Sequence, residues 1–214
     1  MNSFERKAHE RGYLFVAGID EAGRGPLAGP VVAAAVILPP GYEQEGTLPK
    51  GVRINDSKKL TPRQRERLFE TIARDAVSVG IGVVEASQID VVNILQATLA
   101  AMKEAVLALL PSPDYLLIDG INRINLDLSQ ETIISGDSRS ISVAAASIVA
   151  KVSRDRMMEM YHRQFPQYNF LRNKGYGTRE HREAILKYGR SKIHRRSFRV
   201  TGIDNLPVNE KLQL

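Results

Sequence analysis

The sequence predicts a mixed α/β sheet with a helical, basic C-terminal appendage, and three observations lead there. Short apolar runs that end in charge alternate with segments of helical periodicity, in the order β-β-α-β-α-β-β-α followed by short helices. The first two runs are separated by too few residues for a helical crossover, so they form antiparallel neighbours. At 214 residues, 43% apolar and 25% charged, the chain is long enough for one sizeable core with an extension, and its composition is that of a globular protein.

The elements follow in order. Tyr13 to Ile19 is an apolar run ending in Asp20, and Val31 to Leu38 is a second, Val- and Ile-rich run stopped by Pro39-Pro40-Gly41; both read as strands. A polar loop reaches Lys59. Thr61-Pro62 supplies an N-cap and a first-turn proline for a helix to about Ala76. Val77 to Glu85 is a strand. Ser87 to Leu110 reads as one long helix, with Ile94, Leu95, Leu99, Met102, Val106 and Leu109 at helical spacing and Pro111 beyond it. Tyr115 to Asp119 is a buried-type strand, and Thr132 to Ile134 a weaker one. A helix runs from about Ser142 to Tyr161, and its small-residue start, Ser142-Val143-Ala144-Ala145-Ala146-Ser147, allows close packing on the sheet. The resulting division is a core over 1–165, a basic helical region over 166–200 packed on that core, and a tail over 201–214.

Composition narrows the chemistry. Cysteine is absent, which excludes a disulfide framework, a thiolate nucleophile and Cys-ligated metal. No stretch is long and apolar enough for a membrane span, and the first residues lack a signal-peptide pattern, so a cytoplasmic protein with no membrane partner is expected. Residues 1–150 carry 15 Lys and Arg against 18 Asp and Glu, whereas residues 151–214 carry 15 against 6. Positive charge gathered at one end fits a partner bearing phosphates.

Four acids stand where apolar runs end: Asp20, Glu21, Asp119 and Asp137. Strand ends are where open α/β sheets keep their sites. Converging carboxylates repel one another in a partly buried cleft, so either cations compensate them or their pKa values rise. An all-oxygen donor set selects magnesium or manganese, and two such ions about 3.5–4 Å apart serve phosphodiester hydrolysis. Taken singly, each acid is more readily a surface or capping residue, Asp137 in particular a helix cap, so spacing alone does not establish the site.

Gly23-Arg24-Gly25-Pro26-Leu27-Ala28-Gly29-Pro30 fits neither the dinucleotide nor the Walker pattern. Two readings fit it: a flexible hairpin turn, or a bared backbone that approaches a sugar or phosphate closely while Arg24 supplies charge.

The segment Gly18 to Val31 resembles the N-terminal signature of the ribonuclease HII family. Further matches follow in order at Asp56 to Leu60, Asn93 to Thr98, Ile118-Asp119-Gly120, Gly136-Asp137-Ser138, Ser142 to Lys151, Lys174 to Thr178 and His194 to Phe198. The resemblance implies an RNase H-like mixed five-stranded sheet flanked by helices, with a C-terminal helical region. It implies an endonuclease that hydrolyses the RNA strand of RNA:DNA hybrids through divalent-metal-activated water. Cleavage would extend to single ribonucleotides in duplex DNA and leave 5′-phosphate and 3′-hydroxyl ends. On this resemblance Asp20, Glu21, Asp119 and Asp137 match the metal-site carboxylates, Gly23, Arg24 and Gly25 the loop that reads the 2′-hydroxyl, and Tyr176 the tyrosine at the RNA-to-DNA junction.

Other residues carry two readings each. Lys58 and Lys59 meet backbone phosphate or are simply solvated; Asn93 contacts nucleic acid or starts a helix. Lys174, Arg195 and Arg196, with Arg172, Arg179 and Arg182, are expected at phosphates, where they position a duplex without reading it. His162, His181 and His194 lack metal-pair spacing and read as polar contacts. The tail has no aromatic pair suited to docking a sliding clamp, and a monomer is expected. The alternative function is a non-catalytic duplex-binding protein of the same fold, and a third is another metal-dependent nuclease or strand-transfer enzyme.

Overall fold

The computed structural model describes residues 3–39 and 60–200. Its centre is a five-stranded mixed sheet built from β1 (Val16–Ala22), β2 (Val31–Ile37), β3 (Ser78–Val84), β4 (Tyr115–Asp119) and β5 (Ser129–Ile133), in the order β3-β2-β1-β4-β5. The β1-β2 and β2-β3 pairs are antiparallel, while β4 runs parallel to both β1 and β5. Among the described residues seven helices accompany it: α1 (Ser3–Glu10), α2 (Pro62–Asp75), α3 (Ala86–Val92), α4 (Ile94–Leu107), α5 (Ile141–Gln164), α6 (Phe170–Asn173) and α7 (Arg179–Tyr188).

Strand β2 explains the layering. Its sequence, Val-Val-Ala-Ala-Ala-Val-Ile, is buried throughout, as expected for a strand covered on both faces. Ala33, Ala35 and Ile37 face the layer of Ala97, Ala101 and Ala105 on α4, and Ala34 and Val36 face Ala144, Ala145 and Ile148 on α5. Small residues bring these helices onto the backbone of the sheet. A Cβ at Gly18 would lie 2.1 Å from the Ser142 carbonyl carbon, and one at Gly82 would lie 2.0 Å from the Ala101 oxygen.

Helix α2 begins with Thr61 and Gln64 capping one another reciprocally, and its Leu68 and Ile72 bury against α5. Past α5, Tyr168, Phe170, Ile185 and Ile193 make a separate small cluster that closes on Met158 of α5 and Ala28 of the β1–β2 loop.

Several elements differ from expectation. The first strand begins at Val16 and reaches Ala22, so Asp20 and Glu21 lie within it. The single helix expected over 87–110 is broken at Asn93, whose φ of 71° no helix tolerates. Asn93 ends α3, and its side-chain oxygen accepts the Leu95 and Gln96 amides at the start of α4. Helix α5 starts at Ile141 and is capped by Ser140, not by Asp137. Helix α1 was not expected at all.

Substituting Gly18 by alanine must push α5 off the sheet, since its nearest neighbours are backbone atoms. Thermal or urea denaturation is expected to show a loss of about 1–3 kcal/mol, and a loss below about 0.5 would mean that the helix yields easily.

Candidate active site

Sheet topology brings the acids together. Ile19 of β1 lies opposite Ile118 of the parallel β4, so the next residues, Asp20 and Asp119, arrive at one level of adjacent strands. Asp119 in turn lies opposite Ile133 at the end of β5, and the chain leaves β5 into a 3-10 turn, Gly136–Ser138, that carries Asp137. Three aspartates thus come from the same end of three parallel neighbours, with Glu21 beside the first.

Their electrostatics follow from burial. Asp20 is only 6% exposed. Desolvation pushes its carboxyl well above the usual carboxylate range, with Glu21 and Asp119 pushing the same way, while the Ser147 hydroxyl and the Glu21 amide oppose. That amide donates to Asp20 Oδ1 at 2.7 Å. Burial also raises Glu21; the Arg24 guanidinium, 3.2 Å away, lowers it, and Asp119 adds to the rise. Asp119 Oδ1 accepts the Gly136 amide at 2.7 Å, in a space where a Cβ at Gly136 would sit 3.2 Å from that oxygen. Asp137 is buried at the adjoining position.

The loop after β1 is held from inside by two arginines. Arg154 of α5 donates to the carbonyls of Pro30, Lys174 and Ala28, at 2.9, 3.0 and 3.1 Å. Arg195 donates to those of Gly29, Arg24 and Gly23, at 3.0, 2.9 and 2.5 Å. Burial lowers both guanidiniums, to about 10 and about 9, so both stay cationic at neutral pH. The expectation that Arg195 contacts phosphate is therefore corrected: it is 0% exposed and its donors are committed to the loop. Gly23, at φ 98°, leaves the room that Arg154 occupies, since a Cβ there would lie 2.0 Å from Arg154 Nε.

Tyr176 is 47% exposed, and its ring edge would lie 3.8 Å from a Cβ on Gly25. Its backbone is fixed by a chain of imidazoles. The Ser191 amide donates to His194 Nδ1 at 2.9 Å, so His194 Nε2 carries the hydrogen given to His181 Nε2 at 3.0 Å, and His181 Nδ1 donates to the Tyr176 carbonyl at 2.8 Å. Burial, with His181 and Arg190 adding, pushes His194 down to about 3, and burial lowers His181 too.

Glu21, Gly23, Arg154 and Tyr176 share a cleft of about 170 Å³ with Arg65 of α2 and with Ser147 and Lys151 of α5. These last three escaped the sequence reading as site residues. Lys151, paired with Asp155 at 2.7 Å, is pushed down by burial. A larger hollow, about 550 Å³ between Arg172 and Glu183, lies away from the strand-end acids and is lined by the ion pair Arg179–Glu183. Lys174 is paired with Glu159, and Arg196 is exposed, with its backbone amide on Asp90. Lys58, Lys59 and the tail lie outside the described residues.

The acids fit a hard divalent cation. They offer oxygen donors alone, and a desolvated carboxylate between two others needs positive charge to stay ionised. Among the described residues no three such side chains are gathered tightly enough to cage an ion by themselves. Magnesium and manganese need no such cage when water and substrate phosphate complete their ligands.

Comparison with known proteins identifies the family of the chain. The model of the ribonuclease HII family matches residues 17–201. A ribonuclease HII of Syntrophus aciditrophicus is 64% identical over 200 residues, 94% of this chain and 91% of the relative. Among solved structures, ribonuclease H2 of Pyrococcus horikoshii is similar at TM-score 0.71 and 26% identity, over 86% of this chain and 94% of that one. The RNase HII of Archaeoglobus fulgidus, solved in complex with PCNA, is similar at TM-score 0.72 and 26% identity, over 90% and 100%.

Two outcomes follow from the shifted groups. The raised Asp20 value means that the folded chain holds a proton the unfolded chain has released. Its contribution to stability is complete below the ordinary value of 3.8 and is lost as pH rises through the raised value. Asp20→Asn is expected to melt higher than wild type near pH 8 without added metal, by about 2–4 °C for each kcal/mol relieved; an unchanged or lower melting point contradicts this. The histidine pair has the opposite sign: its contribution is present above about 6.5 and is lost as pH falls toward about 3. Urea midpoints are expected to fall from pH 7 to pH 4, with a shallower fall in His194→Leu.

Proposed function

Since the chain belongs to the ribonuclease HII family, and is therefore an endonuclease acting on the RNA strand of RNA:DNA hybrids, we propose that Asp20, Glu21, Asp119 and Asp137 are its catalytic carboxylates and hold magnesium or manganese. We propose further that it nicks duplex DNA at single embedded ribonucleotides, leaving 5′-phosphate and 3′-hydroxyl ends, and acts as a monomer in the cytoplasm. The observation that carries this reading is the burial of Asp20 against Glu21 and Asp119 at the ends of adjacent parallel strands.

Divalent cations bound there would lower the pKa of an attacking water and balance charge on the departing oxygen. The rest falls to the chain. Ser147 and the Glu21 amide orient the Asp20 carboxylate, and the Gly136 amide orients Asp119. Arg65 and Lys151 line the same cleft and present positive charge to the phosphodiester backbone, which positions a duplex without reading its sequence.

Discrimination between ribose and deoxyribose requires contact with the 2′-hydroxyl, which both donates and accepts. Gly25 lets the main chain approach it, and Gly23, whose Cβ position is filled by Arg154, offers its backbone from the same turn. Their loop does not recoil on contact, because Arg154 and Arg195 fix its carbonyls from behind. Tyr176 lays an apolar ring face against the sugar beside Gly25, with its backbone held by His181. Arg24, paired with Glu21 of the same cleft, is the charge-assisted contact. Lys174 and Arg196, with Lys58, Lys59 and Asn93, complete the proposed substrate contacts.

The test is a paired nicking assay with magnesium or manganese. A duplex with one ribonucleotide is expected to be nicked and its all-DNA counterpart left intact. Asp20→Asn and Asp119→Asn are each expected to lower kcat about 10³-fold or more, with a smaller change in KM. Nicking of both duplexes at similar rates would remove the sugar-reading role from the loop; nicking unaffected by chelator would remove the metal site.

A further inference from the structure

Helix α1 lies before the stretch matched by the family model, residues 17–201, yet it carries a buried carboxylate joined to the strand-end acids. Phe4 and Ala8 dock the helix on Val16, Leu117, Ile133 and Val143. Within that apolar contact sits Glu5, 3% exposed. Its Oε1 accepts the Ser140 hydroxyl at 2.5 Å and the Ser142 amide at 3.0 Å. Its Oε2 is buried with no hydrogen-bond partner among the described residues.

A carboxylate oxygen left unpaired in an apolar contact is costly, and an aliphatic residue would dock α1 without that cost. Glu5 shares the capping of α5 with Ser140: it accepts the Ser142 amide while Ser140 accepts the Val143 amide. What Glu5 adds is a link in a continuous chain of hydrogen bonds. Glu5 holds Ser140; the Ser140 amide donates to the Gly136 carbonyl at 2.8 Å; the Gly136 amide donates to Asp119 Oδ1 at 2.7 Å. Asp137 lies between Gly136 and Ser140, on the turn that this chain spans.

We propose that Glu5 is a positioning residue that sets Asp119 and Asp137 for metal binding, which makes the N-terminal helix part of the active-site support. The proposal rests on the assignment of those two aspartates to the metal site. Groups that orient metal-ligating side chains from behind affect affinity about as strongly as some ligands do.

The experiment uses the full chain and manganese as probe. The manganese concentration that gives half of the maximal rise in melting temperature is measured without nucleic acid for wild type, Glu5→Ala, Glu5→Gln, Ser140→Ala, Ile72→Val and Asp119→Asn; kcat and KM follow on a hybrid duplex. Glu5→Ala is expected to raise that concentration about 10-fold and lower kcat by a similar factor, with KM within about 2-fold. Glu5→Gln keeps an acceptor for the Ser142 amide and is expected to recover most of both. Ser140→Ala, which cuts the same link from the other side, is expected to match Glu5→Ala and decides the matter if the latter does not fold. Ile72→Val, remote on α2, is expected to lose melting temperature alone. Should Glu5→Ala and Ser140→Ala behave like Ile72→Val, with unaltered manganese midpoints, Glu5 is only a structural clip and the proposal is wrong. Should Asp119→Asn bind manganese as wild type does, the metal-site assignment falls and takes this proposal with it.

Discussion

A carboxylate that is almost wholly removed from water, with two more acids acting on it, is the constraint around which this molecule is organised. Asp20 is placed there by register, not by choice of rotamer: Ile19 faces Ile118, and parallel pairing carries Asp20 and Asp119 to one level. Strand β1 cannot slip by one residue, because Ala17 or Ile19 would then replace Gly18 beneath α5, where a Cβ would lie 2.1 Å from the Ser142 carbonyl carbon. The repulsion is therefore built into the sheet, and the surrounding groups moderate it without removing it. Ser147 and the Glu21 amide give Asp20 donors, Arg24 gives Glu21 a counter-charge, and Gly136 gives Asp119 an amide.

The positive counterpart of that pocket is the pair Arg154 and Arg195, and the two are used differently. Both are buried and bonded to carbonyl oxygens rather than carboxylates. A carbonyl repays less of a guanidinium's desolvation than a carboxylate would, but the planar fork of donors fixes direction. Charge is thus spent on shape. The loop from Gly23 to Pro30 has few side chains to pack, and its form is imposed by donors that arrive from α5 and from the C-terminal region. The C-terminal region is in this sense an inner part of the site.

That use of arginine marks the limit of what the sequence makes legible. The strands, the antiparallel first pair and the capped start of α2 follow from apolar runs, turn residues and capping chemistry, all of which act locally. The acids at strand ends are legible for the same reason. The inward arginines are not, because Arg is ordinarily a surface residue and nothing within a few positions of Arg154 or Arg195 signals six waiting carbonyls. Asn93 hides equally well: Val91, Val92, Ile94 and Leu95 continue the apolar pattern straight through a residue whose side chain ends one helix and starts the next. Helix α1 offers only Phe4 and Ala8 to a core that is completed by Tyr115, Leu117, Ile133 and Val143, more than a hundred positions later.

The same accounting alters how the basic C-terminal section is understood. Its surplus of Lys and Arg reads as a phosphate-binding surface, yet much of it is engaged within the protein. Arg154 and Arg195 hold the loop, Arg190 donates to the carbonyls of Arg195 and Phe198, and Lys151, Lys174 and Arg179 are paired with Asp155, Glu159 and Glu183. Each arginine committed to carbonyls subtracts a counterion-releasing contact that the composition promises, whereas the ion-paired Lys151, Lys174 and Arg179 can still exchange a carboxylate for a phosphate. In the proposed function, affinity for the duplex would then come from fewer phosphates than the charge count suggests. Selectivity would rest on the stiffness of a loop that cannot move aside when the sugar in front of it is the wrong one.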